Sequence, residues 1–164
     1  MPIEGIVQPE ILPVSETIRL RRYDGRHDLA LAWYQDIETV YLVDGVRQPY
    51  DAEKLARMYA YLDRHGELYW IEQLHGGEFM PIGDVTLWQD DMPIVIGDRT
   101  CRGMGIGRQV VLTLIARSRQ LGYSALHVQE IYRWNEGSRR LFTSCGFVQT
   151  GDTDNGHSYS LALK

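Results

Sequence analysis

Cysteine is nearly absent: Cys101 and Cys145 are the only two in 164 residues. Neither stands in a Cys-x-x-Cys pair or a Cys/His cluster, so a disulfide framework is excluded and a metal site has no support. Free thiols fit a reducing compartment. The opening residues lack the basic-then-apolar pattern of a signal peptide, and no apolar run is long enough to cross a bilayer. A cytoplasmic protein with no membrane partner is therefore expected. Excess positive charge is missing too. The formal net charge is −5, which argues against nucleic acid as a partner, because phosphate backbones are met by basic patches. A charge of this size chiefly keeps a domain soluble, and it mildly favours a cationic substrate. Internal repeats and low-complexity linkers are also lacking, so nothing marks a string of modules.

The length gives room for one domain with a proper core and little room for a second, and 44% hydrophobic residues suffice to fill that core. Residues 1–16 carry three prolines and no clear period, and read as an irregular arm; residues 17–164 read as the domain. Thr17 to Tyr23 alternates like a half-buried strand. Asp28 is placed to cap a helix through Val40, and Asp51 to cap another whose inner stripe is Leu55, Met58, Tyr59 and Leu62, stopped by Gly66. The period then changes. Glu67 to Leu74, Pro81 to Trp88 and Met92 to Asp98 read as strands, joined by turns at Gly76-Gly77 and Asp90-Asp91. Met104 to Leu121 carries the strongest helical stripe, with Val110, Val111, Leu114, Ile115 and Leu121 on one side. A strand from Ser124 to Ile131, a short helix from Glu136 to Cys145, and two strands around Asp154-Asn155-Gly156 complete the chain. This order predicts an α+β, or mixed α/β, domain around one sheet.

The most specific local signal is Arg102-Gly103-Met104-Gly105-Ile106-Gly107, set between a strand and an amphipathic helix. A helix start leaves N–H groups unpaired at the positive end of the dipole, and glycines let phosphate oxygens approach them. A Walker loop would need Gly-Lys-Ser/Thr, which is absent. A dinucleotide fingerprint would need a third glycine where Arg108 or Val110 stands. Taken alone, the six residues remain either a phosphate loop or a plain glycine-rich helix entry.

With its surroundings, the run resembles the pyrophosphate loop Gln/Arg-x-x-Gly-x-Gly/Ala of the GNAT N-acetyltransferases, with Arg102, Gly105 and Gly107 in the fixed places. Asn135, Ser138 and Leu141-Phe142-Thr143-Ser144-Cys145-Gly146-Phe147 resemble that family's second motif, and Ile82-Gly83 is similar to its strand entry. The resemblance spans Thr17 to Leu163. It implies a mostly antiparallel twisted sheet, splayed at an acetyl-CoA site and flanked by about four helices. It also implies acetyl-CoA as co-substrate without a metal, with pantetheine paired to backbone at Ile96, Gly97 and Asp98. Pyrophosphate would rest on Arg102, Gly103, Met104, Gly105, Ile106, Gly107 and Arg108, and Asn135 and Ser138 would touch the cofactor or acetyl group.

The implied reaction is acetyl transfer to a primary amine by direct attack on the thioester, which needs a base, an oxyanion donor and preferably an acid. Glu130 stands five residues before Asn135, the separation at which similar ribosomal-protein-alanine N-acetyltransferases keep a functional glutamate. It is the candidate base; Asp98, Asp84 and His127 are weaker ones. At the family's usual acid, a tyrosine in Leu-Tyr-x-x-x-Gly-Phe, this chain has Phe142. Trp33, Asp36, Glu38 and Tyr50 resemble both the ribosomal-protein and the aminoglycoside 6′-N-acetyltransferase types. Trp33, Tyr34, Trp88 and Trp134 are candidates to box a cationic amine. A protein N-terminus and a small amine such as a polyamine or aminosugar therefore compete as acceptors, and a homodimer is compatible with either. A non-catalytic acetyl-CoA-binding module is the alternative of another class.

Overall fold

The computed structural model describes residues 4–164. Strands β1 (Ile11–Pro13), β2 (Ile18–Arg22), β3 (Glu67–His75), β4 (Glu78–Leu87) and β5 (Ile94–Ile96) form one antiparallel sheet in sequential order. Strands β6 (Ala125–Tyr132), β7 (Val148–Asp152) and β8 (Gly156–Ala162) form a second, in the order β6-β8-β7. Helices α1 (Leu31–Gln35), α2 (Ile37–Asp44) and α3 (Ala52–His65) precede β3; α4 (Ile106–Gln120) and α5 (Glu136–Ser144) flank β6. No helix among the described residues is long and apolar enough to cross a membrane.

Helix α3 forms where the sequence places it. The Asp51 carboxylate accepts the Lys54 N–H at 2.8 Å, Glu53 lies in the first turn, and Arg64 and His65 complement the dipole in the last. Its buried stripe is Leu55, Tyr59 and Leu62, each worth roughly 1.5–3 kcal/mol of burial. Helix α4 buries Ile106, Val110, Val111, Leu114 and Ile115. These helices cover opposite faces of the first sheet. Leu55 and Tyr59 pack with Trp70 and Val95, whereas Val110, Val111 and Leu114 pack with Ile71, Val85 and the second sheet's Leu126 and Val128.

Three expectations are corrected. The helix expected from Asp28 through Val40 is broken: a 3₁₀ turn over Asp28–Ala30 leads into α1, and Asp36 is extended (ψ 113°) before α2 begins. Asp36 is held there by a bidentate ion pair to Arg99 at 2.6 and 2.8 Å, a partner 63 residues away. The arm expected over 1–16 is not wholly irregular, because Ile11–Pro13 pairs with Arg19–Arg21; Pro13 is tolerated on this outermost strand, where no neighbour needs its N–H. The first three residues of that arm lie outside the described residues. The strand expected from Met92 to Asp98 shrinks to β5, between Pro93 and a point where the N–H groups of Gly97 and Asp98 both reach the Ile82 carbonyl (2.8 and 3.0 Å). That two-on-one pairing is a bulge, and it ends the ladder.

Among the described residues, hydrogen bonds join the two sheets at the β4–β5 turn. There the His127 N–H reaches the Gln89 carbonyl and the Gln129 N–H reaches an Asp91 carboxylate oxygen, both at 3.1 Å. Beyond this point β5 and β6 are not paired with each other, and the gap between them positions the site.

Candidate active site

Gly105 (φ +78°) is the hinge from which α4 springs, a left-handed conformation that disfavours side chains. The first intrahelical bond runs from the Gln109 N–H to the Gly105 carbonyl. The N–H groups of Ile106, Gly107 and Arg108 are therefore the helix's unpaired donors. They border a cavity of about 570 Å³ whose walls also include Ile94–Ile96, Leu42 and Val43 of α2, the α5 cap Asn135, and Ser138 and Leu141 of α5. A Cβ built on Gly103 or Gly105 would meet nothing within 4 Å, so this mouth is open space. Gly103, Gly105, Ile106, Gly107, Arg102, Arg108, Asn135 and Ser138 all lie on the wall, whereas Met104 is 61% exposed and off it.

The expected cofactor residues do not all present free groups. Arg102 turns inward: its Nε donates to the Ile96 carbonyl at 2.8 Å and an NH2 nitrogen to the Thr39 hydroxyl at 2.9 Å, tying β5 to α2. Burial pushes this guanidinium below its usual pKa. Asn135 is a second tie, its Oδ1 accepting from the Ser138 N–H (3.1 Å) and its Nδ2 donating to the Leu42 carbonyl (3.3 Å). Asp98 lies off the cavity wall. Its N–H bonds Ile82, its carbonyl accepts from Cys101, and its carboxylate caps Thr100, whose hydroxyl holds the Asp98 pKa below the ordinary range. Gly97 also lies off the wall; a Cβ there would stand 2.2 Å from the Trp33 ring. Because Val95 faces Asp84 across the ladder and the Gly97 N–H also turns toward β4, alternation leaves the backbone edges of Ile94 and Ile96 facing the gap. Ile94 was missed from the sequence, as was Arg140, which also borders this cavity.

A second cavity, about 300 Å³, shares Leu42, Val43, Ile94, Val95, Asn135 and Ser138 with the first, so the two adjoin. Asp44, Asp84, Asp91 and Glu130 line it together with Tyr34, Tyr50 and Tyr132, and no lysine, arginine or histidine does among the described residues. Glu130 accepts hydrogen bonds from the Thr153 hydroxyl and, at 3.3 Å, from the Asn155 N–H. Asp84 is 1% exposed, and burial raises its pKa to about 6, while hydroxyls from Tyr34 and Tyr59, both at 2.8 Å from Oδ2, oppose the rise. Burial pushes the pKa of both tyrosines up, so they remain neutral donors. His127 is exposed and absent from both walls. Phe142 is 2% exposed and packs edge-to-face on Phe147 at 5.2 Å. The four rings expected to box an amine are dispersed: Trp33 packs on Trp70, Trp88 on His65, Trp134 between Tyr41 and Tyr132, and only Tyr34 reaches the second cavity.

A split antiparallel sheet with a glycine-hinged helix start in the split defines a mixed α/β fold whose opening suits an anionic ligand. The acetyltransferase (GNAT) family model matches residues 30–147, and the chain belongs to that family: it is an N-acetyltransferase. A domain from Methanocaldococcus jannaschii superposes with a TM-score of 0.79 at 22% identity, covering 88% of this chain and 97% of that one. The Salmonella typhimurium acetyltransferase that modifies the N-terminal serine of ribosomal protein L7/L12 gives 0.70 at 18%, covering 94% and 100%. The aminoglycoside acetyltransferase AAC(6′)-Ib, solved with coenzyme A, gives 0.68 at 16%, covering 89% and 95%. No curated protein sequence matches the chain significantly.

Proposed function

We propose that this chain moves an acetyl group from acetyl-CoA to a primary amine, with the co-substrate in the larger cavity and the amine in the smaller. The observation that carries this is the adjacency of the two cavities across six shared lining residues: one opens on unpaired helix N–H groups, the other is walled by carboxylates. The residues present fit the co-substrate. The N–H groups of Ile106, Gly107 and Arg108 would hold the pyrophosphate, helped by the Arg108 side chain. The free edges of Ile94 and Ile96 would pair with pantetheine as an added strand would. Acetyl-CoA supplies an activated acyl carbon. The catalytic unit is read as residues 11–164, because β1 completes the first sheet.

An alkylamine is protonated at neutral pH and must shed a proton before its nitrogen can attack. Glu130, on the second cavity's wall, takes that proton as the carbon–nitrogen bond forms and the carbon–sulfur bond breaks. Thr153 and Asn155 fix the Glu130 carboxylate, so its position does not depend on substrate. The departing thiolate is a tolerable leaving group without an acid, which accommodates Phe142. Thiol release followed over a panel of amines tests the reading. Amine-dependent release is expected; coenzyme A binding with no release for any amine would favour a binding module instead.

A further inference from the structure

Of the four carboxylates in the second cavity, three have evident local support. Asp44 pairs with Lys54 at 3.6 Å and accepts the Tyr50 hydroxyl at 2.6 Å. Asp91 accepts backbone N–H groups of Gln129 and Met92, and Glu130 is bound by Thr153 and Asn155. Asp84 differs. It has the least exposure of any carboxylate in the protein, and only two neutral hydroxyls touch it, both on Oδ2. Oδ1 accepts no hydrogen bond from any described side chain. The groups around it are Tyr34 from α1, Tyr59 from α3, and Trp70 and Val95 across the two flanking ladders, with Asp44, Asp91, Glu130, Tyr50 and Tyr132 elsewhere on the cavity wall. None is a cation. A buried carboxylate without a partner cation is costly, and a cation entering beside it relieves that cost.

We propose that Asp84 is the specificity-determining counter-ion of the acceptor site, and that the acceptor is a small compound with at least two amino groups. This rests on the second cavity being the acceptor site. An ammonium ion seated on Asp84 is stabilised in its protonated form, since an opposite charge raises an amine's pKa. Such an amine is a poor nucleophile, so the group anchored at Asp84 is not the group acetylated. One ammonium therefore anchors at Asp84 while a second amine, deprotonated by Glu130, reaches the wall shared by the two cavities. A cavity of about 300 Å³ accommodates a short alkyl diamine of this kind. A peptide N-terminus fits less well. Its single terminal amine is the group to be acetylated, which leaves no ammonium for Asp84.

Putrescine and 1-butylamine differ by one terminal amine and test the idea directly. Wild-type protein should acetylate putrescine with a kcat/KM on the order of a hundredfold above butylamine, the scale expected for a buried charge pair. In Asp84→Asn, which keeps an oxygen for both tyrosines, that preference should collapse to a few-fold while coenzyme A affinity stays within about twofold. Calorimetry of putrescine into the coenzyme A-loaded protein should show the same loss without requiring turnover. Equal handling of the two amines by wild type, or a preference that survives in Asp84→Asn, overturns the proposal. The wild-type comparison holds even if the variant misfolds. An alanine-initiated hexapeptide outperforming putrescine also overturns it. Failure to bind coenzyme A at all would instead sink the acetyltransfer assignment of the cavities.

Discussion

The two cavities meet at a shared wall but are built differently. The larger is organised by one continuous segment, residues 102–108, whose backbone donors need only a glycine hinge and a helix to follow. The smaller is assembled from side chains on α1, α2, α3, β4, β5, β6 and α5 and on the turn before β5, segments spread over most of the chain. A site made of backbone is written in a local motif, whereas a site made of converging side chains exists only once the chain has folded. The first should tolerate little change in backbone conformation, and the second little change in charge.

The sharpest separation should come from Glu130→Gln, which keeps shape and removes proton acceptance. Turnover is expected to fall about 10²–10⁴-fold with acetyl-CoA affinity unchanged, measured by steady-state thiol release and calorimetry. A wild-type rate would show that deprotonation runs elsewhere and that the acidic wall serves binding alone.

Asp84 gives the next largest effect, on stability. Its folded-state pKa of about 6 lies above the ordinary carboxylate value, so between those pH values the folded protein holds the proton more tightly than the unfolded chain. Its contribution is therefore greatest at acid pH, declines as pH rises from about 4 to about 6, and is flat above, a total of roughly 3 kcal/mol. Denaturant titrations across this range should show the stability difference between wild type and Asp84→Asn change by that total. Parallel curves would mean that Asp84 is better solvated than its burial implies.

In the larger cavity, Gly105→Val should weaken acetyl-CoA binding roughly 10–100-fold, because a β-branched residue resists φ near +78° and crowds the phosphate approach. Calorimetry with putrescine should register little change, and equal damage to both ligands would break the division of labour between the cavities. The smallest effect belongs to Phe142→Tyr. Packed on Phe147 in the core, the new hydroxyl should lower stability toward the low end of roughly 1–3 kcal/mol and bring no gain in thiol release. A faster enzyme would place position 142 beside the leaving sulfur.

Much of the frame was legible in advance. The stripe of α4, the Asp51 cap of α3, the Gly76-Gly77 turn and the glycine loop all depend on neighbours within a few residues, and each lies where the sequence put it. What misled was charge with distant partners. Asp36 looked like a helical position until Arg99 held it extended, and Arg102 looked like a hand for phosphate until Ile96 and Thr39 occupied it. Asp84 was one carboxylate among several minor candidates, because its burial under Tyr34 and Tyr59 is invisible along the chain.

By itself, then, the sequence determined the family, the order of elements and the glycine-hinged helix start with its unpaired N–H groups, since hydrophobic period, capping and backbone freedom are properties of short segments. Only the tertiary structure decided which polar groups remain available. Hydrogen-bond partners and desolvation are set by residues far apart in the chain, and they commit Arg102 and Asn135 to ties between elements while leaving Asp84 buried without a cation.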